Sequence, residues 1–491
     1  MSVHQPFPRT TPEAVGLPSK AIEAFLHNAK NSGIELHSLM ILRHGQVCAE
    51  GWWKPYGPDK LHNVHSFTKT FVATAIGLLV EDGAISLEDK LISFFPEEAP
   101  ENPSENLKKM NLHHLLSMST GHHHEPDIRG EKDFVRAFLA WPVEHEPGTW
   151  FWYNSQASHM LGRVIHKVTG KTFPEFLRER LLDKMGFGPM ACSLAADGFP
   201  SGGGGFALTT EDMARLGQLY LDNGRWKGEQ LVPERWIRAA TVPQSDNSNG
   251  NHRDGSEDWE AGYGYQLWMN DPLHSYRFDG AFGQEAMVYP DQDLLVICTA
   301  ATGKLAELFK LMERFLMNQA VDGALPENPV ACKHVQALLE HLHLDETEAT
   351  APSWLQEKAD GQRLTLAKNG VLPFIAGFGH QSSRKPGFCA LTPAFGEDEL
   401  SLTLETPDKT WVIRAGMDGE ARQNLLDVDG AQMEIWASAR WKDQNVLSIA
   451  CRTLRAVYTL TLDIAYHIGS AEVAVSQTPR GSKETIPASL A

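Results

Sequence analysis

Ser66 and Lys69 stand three residues apart in VHSFTKTFVATAIGLLVEDG, residues 64–83. On a helix, positions i and i+3 share one face, about 5–6 Å apart at Cβ. Phe67, Phe71, Val72, Ile76, Leu78, Leu79 and Val80 place apolar side chains nearly all round that helix, the pattern of a buried element rather than a surface one. An ammonium group there is costly to desolvate, and unless paired it relieves the cost by losing its proton more readily. A neutral amine beside a hydroxyl is a general base beside a nucleophile. At the helix start, Ser66 also has backbone N–H groups at hand for an oxyanion. The chemistry this predicts is acyl transfer. A second S-x-x-K, Ser382 to Lys385 in SSRKPG, lies in a polar, proline-terminated stretch and carries no such expectation. No G-x-S-x-G elbow occurs, which removes the α/β-hydrolase route to the same chemistry.

The elements that must position this pair follow from periodicity. HSLMILRHGQVCAEGWW predicts a hairpin turning at His44-Gly45, and Gly83 suits the left-handed cap that ends the Ser66 helix. ISLEDKL opens another element with Ser86 as its cap. Residues 108–235 read as mostly helical. Strands return at GYGYQLWMN, AMVYP and LLVICTA, before an amphipathic helix in KLAELFKLMERFLMNQAV. One sheet built from both ends of this region is expected. After a polar, proline-containing linker at 344–354, strict alternation takes over, as in LSLTLET and RAVYTLTLDIAY. Such runs predict an all-β sandwich or barrel. The fold class is thus α+β, with domains at 1–343 and 355–491.

Bulk properties narrow the function. The chain has 491 residues, long enough for two domains, with 42% hydrophobic and 22% charged content. A net charge of -18 argues against nucleic acid and anionic membranes as partners. Six scattered cysteines without a C-x-x-C pair suit reduced thiols. With no apolar leader and no apolar run of spanning length, a cytoplasmic location is expected. GHHHEPD (His122, His123, His124, Glu125, Asp127) lacks the spacing of a complete ligand set, so no metal is expected there. SGGGGF matches neither phosphate-binding spacing and reads as a flexible turn.

Taken together, HSFTKTFVATAIGLLVEDGAISLEDKL, LHHLLSMSTG, EPGTWFWYNSQASHMLGRVI, GGGGFALTTEDMARLGQLYL and FDGAFGQEAMVYPDQDLLVI resemble, in that order and over roughly residues 10–320, the serine β-lactamase and penicillin-binding-protein superfamily, in its class C-like and esterase branch. The resemblance implies a β-lactamase/transpeptidase-like catalytic domain: an antiparallel sheet flanked by helices, plus a helical region. It implies Ser66 as nucleophile, Lys69 as its base partner and Tyr153 of YNS as a proton shuttle. Ser155 takes a position often held by Asn and keeps a hydrogen-bonding role. Phe278-Asp279-Gly280 stands where K-T-G is usual; the missing lysine and the added Asp279 charge weaken the case for substrates that present a carboxylate. Gly280 permits close backbone approach, and the amides of Ala281 and Ser66 form the implied oxyanion hole. The expected activity is hydrolysis of a small ester, amide or short peptide through an acyl-enzyme, without cofactor. Carboxylesterase or short-amide hydrolase comes ahead of D-amino-acid peptidase and β-lactamase. A receptor that kept the pocket and lost turnover is the alternative from another class.

Overall fold

The computed structural model describes residues 6–248, 259–270, 274–344, 353–370, 387–428, 431–479 and 481–490. Ser382 and Lys385, and most of the 344–354 linker, lie outside these residues. The chain divides into two compact units, one of residues 1–52 and 57–342, the other of 53–56 and 343–491. The second therefore includes Trp53–Tyr56, which the division at residue 343 leaves out.

The first unit is built on a six-stranded antiparallel sheet. In spatial order its strands are Gln46–Trp52, Leu36–Arg43, Leu294–Ala300, Gln284–Tyr289, Tyr276–Gly280 and Trp268–Met269. The hairpin turns at His44-Gly45, both at positive φ, and its first strand pairs with Leu294–Ala300 in the register Met40↔Ile297. Both ends of the unit thus supply one sheet. Successive strand residues face opposite sides. Phe278 packs edge-on against Phe67 and Tyr220, while Arg277 turns to the other face, under Trp259 and Phe309.

The helix Thr68–Glu81 is buried at every position from Thr68 to Leu79. Gly77 lies flat on Trp236, where a Cβ would come within 2.4 Å of the indole. The helix ends as its sequence predicts, with Gly83 at φ 68°. Ser86 differs from expectation: its hydroxyl accepts from Glu88 N in a turn closed by Asp89, and the next helix begins only at Leu91. Ser86 competes for local backbone groups in a turn instead of capping a helix. Pro329–Glu340 adds a helix capped by Asn328.

The second unit is a ten-stranded antiparallel meander. Its first strand, Leu364–Gly370, pairs with its last, Ser482–Leu490, in the register Leu364↔Leu490. A bridge between Gly416 and Ser438 closes the other seam, so the sheet is barrel-like. Alternation is realised inward: Leu400, Leu402, Leu404, Leu462 and Ile464 are fully buried, each worth about 1.5–3 kcal/mol relative to exposure.

Candidate active site

A short 3-10 turn, His65–Phe67, leads into the helix Thr68–Glu81. His65 sits in the left-handed region at φ 47° and its amide donates to Asn63 Oδ1 at 2.9 Å, which turns the chain from strand to helix. One helical turn later, Lys69 Nζ lies 2.9 Å from Ser66 Oγ. Lys69 is 1% exposed, whereas Ser66 is half-buried. The nucleophile candidate reaches the surface and its amine neighbour does not.

What holds Lys69 in this apolar surrounding comes from 134 residues along the chain: its Nζ donates to Gly203 O at 2.5 Å. The strand Phe206–Leu208 explains the meeting. It pairs with His62–Asn63, Val64 N donates to Phe206 O, and Phe206 N donates to Thr68 Oγ1. The glycine turn just before that strand is thereby laid against Ser66 and Lys69. A Cβ on Gly203 would stand 2.8 Å from Ser155 O, and one on Gly202 would stand 2.7 Å from Ser158 O. SGGGGF is thus a packed element whose carbonyl serves the buried amine, not only a turn. The signal was four glycines in a row, since Gly is required where backbone meets backbone.

Tyr153 enters from a third direction. Lys69 Nζ is 4.9 Å from its ring centroid, and the ring stacks on Trp268 at 5.4 Å and meets Tyr263 edge-on. It immediately precedes Asn154, which caps the helix Ser155–Thr169 by accepting from Gln156 N and Ala157 N. Ser155, half-buried, donates its amide to Glu125 Oε1 at 2.9 Å. Glu125, which also holds Arg129, therefore supplies a carboxylate to the first turn of this helix, where negative charge is favourable.

The strand Tyr276–Gly280 brings its end to the same place. A Cβ on Gly280 would stand 2.2 Å from Val64 O, and the Phe282 ring meets His65 edge-on at 6.2 Å. Ala281, flanked by these two contacts, lies beside the Ser66 turn. Asp279 does not join the group. Its carboxylate lies 3.4 Å from Arg277 Nε, both side chains buried, on the sheet face opposite Phe278. Strand alternation sends 278 and 279 to opposite sides, so the Asp279 charge is matched by Arg277 within the sheet packing. Arg277, which also donates to Asn270 Oδ1 at 2.6 Å, does not stand in for the missing lysine.

The three histidines of GHHHEPD go three ways. His122, 1% exposed, takes Thr120 and Asn154 as partners, and burial holds it down at about 4. His123 pairs with His145 at 2.9 Å, and His124 meets Trp152 edge-on. Among the described residues no group of three or more His, Cys, Asp or Glu side chains is placed to hold a metal ion, and no helix is long and apolar enough to cross a membrane.

The family profile described as Beta-lactamase matches residues 20–320. The 6-aminohexanoate-dimer hydrolase of Paenarthrobacter ureafaciens is 24% identical over 280 residues, 53% of this chain and 71% of that protein. Lovastatin esterase of Penicillium rubens is 30% identical over 159 residues, 27% of this chain and only 40% of that protein. A solved structure assigned as a 6-aminohexanoate-dimer hydrolase from Bacillus anthracis superposes with a TM-score of 0.51 at 18% identity, covering 64% of this chain and 87% of that one; this likeness is one of fold. The match across residues 20–320 places the chain in the Beta-lactamase family, as a serine hydrolase.

Proposed function

We propose that the protein hydrolyses a small ester or amide through an acyl-enzyme on Ser66. The observation that carries this reading is the 2.9 Å contact between a half-buried Ser66 Oγ and the Nζ of a lysine that is 1% exposed. In the neutral amine, one N–H serves Gly203 O and the lone pair faces the Ser66 hydroxyl. Ser66 Oγ attacks the substrate carbonyl as Lys69 Nζ takes its proton. Negative charge on the carbonyl oxygen is met by the amides of Ser66 and Ala281, each such donor being worth about 2.7–4 kcal/mol in the transition state. Tyr153, whose ring centroid lies 4.9 Å from Lys69 Nζ, returns the proton to the leaving group. Water then attacks the acyl-enzyme by the same route reversed.

Within this class, carboxylesterase or short-amide hydrolase is favoured over D-amino-acid peptidase and β-lactamase. The position that would hold a substrate carboxylate is taken by Phe278, buried against Phe67 and Tyr220. The Tyr153 ring is backed by the buried rings of Tyr263 and Trp268, an apolar surrounding that suits an uncharged acyl or leaving group. An amide hydrolase and an esterase among the relatives fit the same choice. The test is mass spectrometry after reaction with a fluorophosphonate, with p-nitrophenyl esters, short amides and nitrocefin as a turnover panel. The adduct is expected on Ser66 and absent from Ser66→Ala. A label on another residue, or full turnover by Ser66→Ala, removes the proposal.

A further inference from the structure

We infer that His159 is a positioning residue for Lys69, acting at a distance through the glycine turn. This rests on the reading of Lys69 as the base that activates Ser66. His159 is 4% exposed and lies on the helix Ser155–Thr169. Its Nδ1 accepts from the amide of Gly202 at 3.2 Å, and the next residue, Gly203, gives its carbonyl to Lys69 Nζ at 2.5 Å. Because a backbone amide can only donate, Nδ1 must carry a lone pair, and the ring proton of a neutral His159 sits on Nε2. Nε2 faces Asp197 Oδ2 at 3.2 Å, and that carboxylate is 5% exposed and also meets Arg163 at 3.3 Å. Burial raises the Asp197 carboxyl, but hydrogen bonds from His159 and from the Phe199 amide, together with the charge of Arg163, outweigh this and hold it below its ordinary value. Asp197 thus fixes the tautomer in which His159 can hold Gly202, a role of the kind that carboxylates play behind other working histidines. The edge-on ring of Phe134, 4.5 Å away, locks the imidazole plane.

The consequence is that one helix positions both proton-handling groups. Tyr153 stands at its entrance, ahead of the Asn154 cap. One turn in, His159 pins the turn that supplies the acceptor for Lys69. The two glycines make this possible, since side chains at 202 and 203 would collide with the carbonyls of Ser158 and Ser155. Loss of the His159 acceptor leaves Gly202 N–H unpaired in a buried place and frees Gly203 O to move away from Lys69. A displacement of about 1 Å at a catalytic group is enough to cost on the order of 10²-fold in rate.

The test compares His159→Asn, His159→Gln and His159→Leu in the full chain. An Asn Oδ1 occupies the place of Nδ1 and serves Gly202; the Gln side-chain amide reaches toward Asp197 instead. Each variant is measured for the rate of fluorophosphonate labelling at Ser66, for kcat and KM on a p-nitrophenyl ester, and for Tm. His159→Asn is expected to keep its rate within about threefold, while His159→Gln and His159→Leu fall about tenfold or more, in kcat rather than KM. A residue with a merely structural role moves Tm without ranking Asn above Gln in kcat. Equal losses in Asn and Gln, or a Gln variant as fast as the original, overturn the inference while leaving labelling of Ser66 intact. Failure of the unmodified protein to label at Ser66 overturns the reading beneath it instead, so the two failures are distinct.

Discussion

The interiors of the two units differ in kind. The first buries Lys69, His159, Asp212, Arg215, Arg277 and Glu285 among its apolar side chains. In the second, among the described residues, every buried polar side chain is neutral: Ser353, Asn424, Ser448 and Thr453. A barrel interior of Leu400, Leu402, Leu404, Ile449, Leu462 and Ile464 needs only apolar surface turned inward. A buried ionisable side chain needs partners, and in the first unit they come from both near and far along the chain. Gly203 reaches Lys69 across 134 residues, while Arg215 meets Asp212 within one helical turn. Apolar burial follows a local pattern, whereas the partner of the buried Lys69 amine depends on closure of the chain.

That contrast is open to measurement, beginning where the effect is greatest. Lys69→Met keeps the volume and removes the amine, and is expected to slow labelling of Ser66 by about 10⁴-fold, the upper end for loss of a general base. A loss under tenfold would mean that the buried amine is packing, as in the barrel. Next, Leu402→Ala in the second unit is expected to cost about 2–5 kcal/mol in urea unfolding of the barrel by leaving a cavity, with the rate of Ser66 labelling unchanged.

Acid distinguishes the units as well. Burial holds His122 down from 6.5 to about 4. Between those values the unfolded chain binds a proton that the folded first unit refuses, so stability is full above pH 6.5 and declines until about pH 4. The loss from this side chain is on the order of 3 kcal/mol. Urea midpoints of the first unit at pH 7.5, 5.5 and 4 should show it, and His122→Asn should flatten the slope; an unchanged slope in that variant would refute the assignment. The smallest effect is expected at the partly exposed pair of Lys442 and Asp463, 2.8 Å apart on the barrel. Lys442→Ala should change stability by no more than about 1 kcal/mol, read from the same urea curves.

Much of the fold was legible. The hairpin at His44-Gly45, the helix closed by Gly83 and the alternation around Leu402 all arise from residues within a few positions of one another. Alternation is common to sandwiches and barrels; the pairing of Leu364 with Leu490 and the bridge from Gly416 to Ser438 together make the sheet barrel-like. Ser86 illustrates the opposite limit: Ser favours turns and helix caps alike, and Asp89 tips it to a turn. At the site, the 66/69 spacing was visible. The working of Gly203, His159, Asp197 and Glu125 was not, because each acts through a contact with a segment remote in sequence or through its backbone. Asp279 is expected near the site because Phe278-Asp279-Gly280 stands where K-T-G is usual, yet alternation carries its side chain to the face opposite Phe278.

By itself the sequence determined that a serine and a lysine share one face of an apolar helix, and that a second region alternates. Those are consequences of the 3.6- and 2-residue periods of the backbone, which no distant residue can alter. Tertiary structure alone decided that the carbonyl of Gly203 would meet the Lys69 amine and that His159 would stand behind Gly202; Tyr153, Gly280 and Ala281 were offered only through resemblance to a family. The physical reason is that a buried amine must find hydrogen-bond partners wherever the folded chain passes, and that path is settled by strand pairing at His62↔Leu208 and by the close approach of Gly280 to Val64.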